Sequence, residues 1–401
     1  MMEAVLALLA GTLAGIITGL TPGVHINLVA TLLLAVSPAL LAFTSPVTLV
    51  VFIIAMSITH TFLDAIPSIF LGAPDADTVA LLPGHRLLFE GKGHEAVRLT
   101  TEGSLLCLLL GVLLTPAFLW LFPRAYDVLR DAIGWILLAI VLWLLYRERG
   151  PHNKFWSAFT FVTAGILGLI VLGTESLNEP LLPLLSGLFG VSGLLLSLFE
   201  NAEIPLQRAT DQLHASPKEA AHAVSMGTIA GATIALLPGL GPAQAAIMST
   251  ALFKSRGIIG YLLLVGGINT VNFLISLVTM HTLQKARNGA MAVALELIQS
   301  VTLGELLFYT AVCLVVGGLA TLLTLWLTRI FSGFLAKVNY RMVCIGVVAF
   351  IVLLVALFSG WLGLLILLIS TSIGFIPQLM GTGKSHAMGC LLLPVILYFL
   401  L

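Results

Sequence analysis

Apolar residues run along almost the whole chain in long stretches, broken by short polar connections, so the few polar positions carry most of the information. An α-helix needs roughly 20 apolar residues to cross a hydrocarbon core. The pattern predicts such helices over 4–20, 26–42, 46–71, 99–121, 131–146, 155–173 and 181–199. After a polar interval it resumes near 222, continues to 253, and then runs over 257–280, 300–328, 341–358, 361–379 and 387–401. The short alternating segments of a transmembrane barrel are missing, so the expected fold is all-α, with about a dozen transmembrane helices.

One stretch occurs twice. Residues 11–23 read Gly-Thr-Leu-Ala-Gly-Ile-Ile-Thr-Gly-Leu-Thr-Pro-Gly and residues 227–239 read Gly-Thr-Ile-Ala-Gly-Ala-Thr-Ile-Ala-Leu-Leu-Pro-Gly. Gly11, Thr12, Ala14, Gly15, Leu20, Pro22 and Gly23 match Gly227, Thr228, Ala230, Gly231, Leu236, Pro238 and Gly239 at one offset of 216. The duplication predicts two related halves, arranged as inverted repeats: 1–200, with a polar loop over 73–98, and 222–401, joined by a polar linker over 201–221. Matching Phe62-Leu63 with Phe273-Leu274 pairs the polar middles of 46–71 and 257–280 at an offset of 211.

Composition narrows the class. Hydrophobic residues make up 59% and charged residues 9%, against about 25% charged in soluble domains, which predicts a multi-pass protein of the cell membrane. Lys plus Arg is 18 and Asp plus Glu is 18, so no basic surplus points to nucleic acid. Cys107, Cys313, Cys344 and Cys390 stand singly in apolar runs, which is neither a disulfide framework nor a metal-ligand spacing. The N-terminus lacks the basic region and small-residue cleavage site of a secretory signal, so the first helix is expected to be retained.

The chemistry is expected where the helices stop. A helix broken in hydrocarbon leaves backbone N–H and C=O groups unpaired at several kcal/mol each, so a break is tolerated only beside protein or a cavity. A half-helix that begins at mid-membrane presents unpaired N–H groups and about half a positive charge, which favours an anion. The Pro22-Gly23 and Pro238-Gly239 breaks therefore mark a substrate site made of Pro22, Gly23, His25 and Asn27 from one half and Pro238, Gly239, Gly241 and Gln244 from the other, with Asn269 and Asn272 beside them. Thr59, His60 and Asp64 are candidates for binding a coupling ion, sodium or proton. An acid within an apolar run costs roughly 3 kcal/mol and normally faces a cavity or partner.

Each feature also has a structural reading. A Pro-Gly pair can be a hairpin turn or a packing kink, the Gly11–Gly15 and Gly227–Gly231 ridges suit close helix approach, and Asp64 could cap a helix at the membrane surface. Gly381-Thr-Gly-Lys-Ser385 ends like a phosphate loop but has Gln378 where the first glycine belongs; it reads as a polar turn. No motif supports an enzyme, and none supplies a metal site or cofactor.

At the paired Pro-Gly breaks the chain resembles the TctA family, the large permease subunit of tripartite tricarboxylate transporters. The stretch Gly91-Lys-Gly-His-Glu-Ala96 followed by Gly103-Ser104 is similar to that family's polar loop and Gly-Ser helix start. The chain departs from the family pattern at Ala55–His60, where Gly-Gly-Ser is expected, and at Val24–Asn27, where a second Gly-Pro would stand as at Gly241-Pro242. These mark a divergent member. The resemblance implies secondary, ion-driven uptake of di- or tricarboxylate anions, with a small membrane subunit and an extracytoplasmic binding protein as partners. The competing reading of the same helix ends is a translocase for a lipid-linked phosphate such as polyprenyl phosphate, and a third is a non-transporting scaffold.

Overall fold

The computed structural model describes residues 2–21, 24, 26–70, 81–199, 205–210, 212–253, 257–286, 288–335 and 340–401. Among them there is no strand. The helices are α1 (Met2–Leu20), α2 (Ile26–Leu40), α3 (Pro46–Leu63), α4 (Ala65–Phe70), α5 (Leu81–Phe89), α6 (Gly93–Leu113), α7 (Thr115–Leu129), α8 (Ile133–Arg147), α9 (Gly150–Leu172), α10 (Leu181–Leu185) and α11 (Ser192–Phe199). Then follow α12 (Pro217–Ile234), α13 (Pro242–Phe253), α14 (Gly257–Leu283), α15 (Gly289–Ile298), α16 (Leu303–Leu335), α17 (Tyr340–Leu379) and α18 (Gly389–Leu400).

Eight helical stretches among the described residues are long and apolar enough to cross a membrane, and four shorter apolar helices accompany them, at Ile26–Leu40, Leu181–Leu196, Gly289–Ile298 and Lys384–Leu400. Their starts follow capping chemistry. Ser45 accepts the Thr48 N–H ahead of Pro46, Ser216 accepts the Glu219 N–H ahead of Pro217, and Asn288 accepts the Met291 N–H at the head of α15.

Three boundaries differ from the hydropathy reading. Gly93–Arg98 belongs to α6 rather than to a loop, and His94 and Glu95 are buried. The span expected over 99–121 divides at Leu114, because Pro116 can open a helix but cannot continue one; α7 and α8 then run on as one apolar stretch from Thr115 to Arg147. The two spans expected over 341–358 and 361–379 are the arms of α17, which meet at Gly360 in left-handed backbone, φ 65°.

The duplicated small residues are notches in which a neighbouring helix lies. A Cβ on Gly11 would sit 2.4 Å from the Phe52 carbonyl oxygen and one on Gly15 2.5 Å from that of Met56, so α1 lies directly on α3. In the second half, Gly227 meets the Leu264 carbonyl oxygen at 3.0 Å and Gly231 that of Ile268 at 2.9 Å, so α12 lies on α14 in the same way. Gly15 also meets Cβ of Thr59, and Gly231 that of Val271. These contacts equate α3 with α14 at an offset of 212 (52 with 264, 56 with 268, 59 with 271), one residue from the 211 set by the Phe-Leu pairs. The notch fixes the register, whereas a Phe-Leu pair recurs by chance in apolar sequence. α14 also packs closely on α6, and α16 lies against α3 and α6.

Candidate functional site

The corrected register places polar residues at matching points of the two central helices. Ser57 and His60 of α3 and Asp64 at its C-cap correspond to Asn269, Asn272 and Ser276 of α14. Each set is spaced i, i+3, i+7, which is one face of a helix. Between them the Thr61 and Thr270 hydroxyls meet at 3.4 Å, so α3 and α14 touch at the level of these sets.

Asp64 is not at a surface. Its N–H bonds the His60 carbonyl at 2.9 Å and its own carbonyl accepts from the Ser68 N–H, and the chain continues helically through α4 to Phe70. Asp64 is 7% exposed and His60 5%, inside an apolar stretch that is almost wholly buried. His60 Nδ1 lies 3.1 Å from the Thr18 hydroxyl of α1. Thr59 turns to Gly15 instead, and neither its hydroxyl nor that of Ser57 has a hydrogen-bond partner among the described residues.

On α14, Asn269 and Asn272 are half-buried on a helix whose neighbouring positions are almost all buried. Neither amide has a hydrogen-bond partner among the described residues. Ser276, by contrast, is committed: its hydroxyl donates to the Asn272 carbonyl and accepts from Asn288 Nδ2.

Pro22, Gly23 and His25 lie outside the described residues. Asn27, in the first turn of α2, accepts the Ala290 N–H at 3.0 Å and thereby joins α2 to the start of α15. In the second half, residues 235–241 separate α12 from α13, with Gly239 at φ 82° and packed against Val395 of α18. Gln244 is fully buried and spans this gap. Its Oε1 accepts the Gly241 N–H at 3.1 Å and its Nε2 donates to the Ser385 carbonyl at 3.3 Å. The Gly381–Ser385 segment is thus a turn docked on the start of α13. His386 behind it pairs with Glu148 at 2.8 Å, tying the α8–α9 corner to the same place.

The Gly91–Arg98 motif forms no part of this constellation. It holds the linker between the halves. The fully buried Glu95 carboxylate accepts from the Thr210 hydroxyl at 2.5 Å and from the N–H groups of Gln212 and Leu213 at 3.2 and 2.5 Å. Arg98 lies 3.8 Å from Glu95, bonds Glu102 at 2.8 Å and donates to the Leu213 carbonyl. Gln207 accepts the Gly93 N–H and donates to the Leu88 carbonyl, both at 2.9 Å, and the Arg208 N–H meets the Gly91 carbonyl at 2.9 Å. No local pattern announces Gln207, Arg208, Thr210, Gln212 and Leu213 as this strap, since their partners lie more than a hundred positions away.

His85 of α5 lies beside Ser68 and Lys384. Burial and the neighbouring Lys384 push its pKa down to about 4, with a hydrogen bond to the Ser68 carbonyl opposing them. A base whose folded pKa is depressed supports the fold above its unfolded value of 6.5 and loses that support as pH falls toward about 4. The loss, discounted for a partly exposed ring, is roughly 2 kcal/mol. Thermal melts should show stability declining between pH 6.5 and 4, and His85→Asn should flatten that decline.

A bundle of apolar helices with buried polar faces on two central members defines a multi-pass membrane protein built as a permease. The chain matches the tripartite tricarboxylate transporter TctA family over residues 5–389 and belongs to that family, a family of transporters. A protein of Methanocaldococcus jannaschii described as uncharacterized protein MJ1079 is 28% identical over 409 aligned positions, covering 98% of each chain. No solved structure gives a significant match. Tripartite transporters imply a small membrane subunit and a binding protein as partners of such a permease.

Proposed function

We propose that the chain is a secondary active transporter of an organic anion of the di- or tricarboxylate type, driven by an ion gradient, whose halves 1–200 and 222–401 act as inverted repeats. The reading is carried by Asn269 and Asn272. Two half-buried amides one turn apart, without a protein partner among the described residues on an otherwise buried central helix, leave donors and acceptors open to a ligand or its water. The break at 235–241 supports it. Pro242 has no N–H and Gly241 gives its own to Gln244, so the backbone N–H groups of Ala243 and Gln244 are the ones an anion would meet at the start of α13. His60 and Asp64, on the corresponding face of α3, are the groups of this site that can change charge with a coupling ion.

Thermal stabilisation of the purified protein in detergent tests this, with di- and tricarboxylates, short-chain polyprenyl phosphates, and sodium or pH as variables. A ligand at a hundred times its Kd adds about 2.7 kcal/mol of stability, so a carboxylate substrate should raise Tm by a few degrees. Asn269→Ala combined with Asn272→Ala should remove the rise. A shift with the lipid phosphates alone would replace the carboxylate reading by the translocase, and a full shift in the double variant would place the site elsewhere.

A further inference from the structure

The coupling ion follows from the hydrogen positions between α1 and α3, granted the transport reading above. Thr18 Oγ1 donates to the Gly15 carbonyl at 3.3 Å and also lies 3.1 Å from His60 Nδ1. A hydroxyl has one hydrogen. With that hydrogen on Gly15 the oxygen accepts from His60, so that Nδ1 carries the proton and Nε2 is the basic nitrogen; the alternative, Thr18 donating to Nδ1, puts the proton on Nε2, and the tautomer decides between them. The imidazole is thereby oriented by α1, two residues before that helix ends at Leu20. Nothing equivalent exists in the second half. The counterparts of Thr18 and His60 are Ile234 and Asn272, neither of which can titrate.

We infer that the driving ion is a proton, bound at His60 Nε2, with Thr18 as the positioning residue that fixes the tautomer. Protonation adds one hydrogen to Nε2 and leaves the Nδ1–H on Thr18; release on the other side of the membrane restores the neutral ring. Asp64, one turn along α3, is the carboxylate placed to stabilise the imidazolium. The other helices packed on α3 offer little competition. α2 and α4 carry no ionisable group, and α1 carries only Glu3 at its far end. On α6, Glu95, Arg98 and Glu102 are engaged with one another and with the linker, His94 is buried, and Cys107 bonds the Val224 carbonyl. On α14 the titratable groups, Tyr261 and His281, stand near its two ends, and His281 is bonded to the Val301 carbonyl. α15 carries only Glu296, which is exposed, and α16 carries Glu305, Tyr309, Cys313 and the exposed Arg329.

Proteoliposome uptake under separate proton and sodium gradients, with a stabilising anion from the ligand panel as cargo, is the first arm. A proton gradient should drive uptake without sodium, and His60→Gln should lose that drive. Thr18→Val removes an acceptor worth more to the imidazolium than to the neutral ring, so the pH profile should move acidward by about 0.5–1 unit; Thr18→Ser should keep the wild-type profile. The second arm is nitrogen-15 NMR of histidine-labelled protein, assigned by His60→Gln. It should report an Nδ1–H tautomer that titrates at Nε2. Sodium-driven, pH-insensitive uptake would overturn the proton assignment and leave the transporter reading standing. An Nε2–H tautomer, or an unmoved profile in Thr18→Val, would overturn the role of Thr18. Absence of both uptake and ligand stabilisation would remove the transport reading itself, and a His60 signal that fails to titrate would then end the proton assignment too.

Discussion

Gly103→Val is expected to leave no folded protein in the membrane. A Cβ at Gly103 would lie 2.0 Å from the Leu263 carbonyl oxygen and 2.6 Å from its carbon, so the obstacle is backbone and not a side chain that can swing aside. The contact is reciprocal: Gly266 stands against the Thr100 carbonyl oxygen at 2.1 Å, so α14 cannot relieve the clash by rotating. Pushing the helices apart would break the bond from Ser104 Oγ to the Gly266 carbonyl, 2.9 Å, and open the packing around Leu99 and Leu263, both buried. Overpacking costs typically 1–3 kcal/mol where side chains can adjust, and this site offers no such relief. Gly318→Val on α16, where nothing lies within 4 Å, is the control and should be accepted. Size-exclusion profiles of tagged protein in detergent read both.

Asp64→Asn is expected to allow exchange of substrate across the membrane while abolishing accumulation against a gradient. The substitution keeps the shape of a side chain that is 7% exposed but removes the one carboxylate in the Ser57–His60–Asp64 set. Without it the charged form of the site loses its counter-charge, and a charge at membrane depth is held only by such a partner. Counterflow and net uptake in the same vesicles separate the two effects; normal accumulation would remove Asp64 from coupling.

Much of this arrangement could be read from the chain. The duplicated lead-in was legible because small residues at i and i+4 are needed only where another helix lies against them, and both copies meet that need. The pairing of α3 with α14 was legible to within one residue. That single residue decides which polar groups correspond, and it lay in contacts between helices that no linear pattern displays. His94, Glu95 and Arg98 read as solvent-facing because charge in a membrane protein usually marks a loop. The buried Glu95 depends on the Thr210 hydroxyl and the N–H groups of Gln212 and Leu213, which lie more than a hundred positions along the chain. Thr18 gave no signal at all, since its role exists only through His60 of a different helix.

The strap held by Glu95 sets a mechanical limit. Thr210, Gln212 and Leu213 fasten the linker to Glu95 of α6, and α12 begins at Pro217, so His214, Ala215 and Ser216 are the whole of the slack between the fastening and α12. The four steps from Leu213 to Pro217 reach about 14 Å at full extension. The start of α12 therefore cannot lie farther than that from its fastening point on α6, against which α12 also packs through Cys107 and Val224. In the proposed transporter those residues would cap any displacement of the start of α12 relative to α6, and lengthening 214–216 should raise that cap without touching the polar centre.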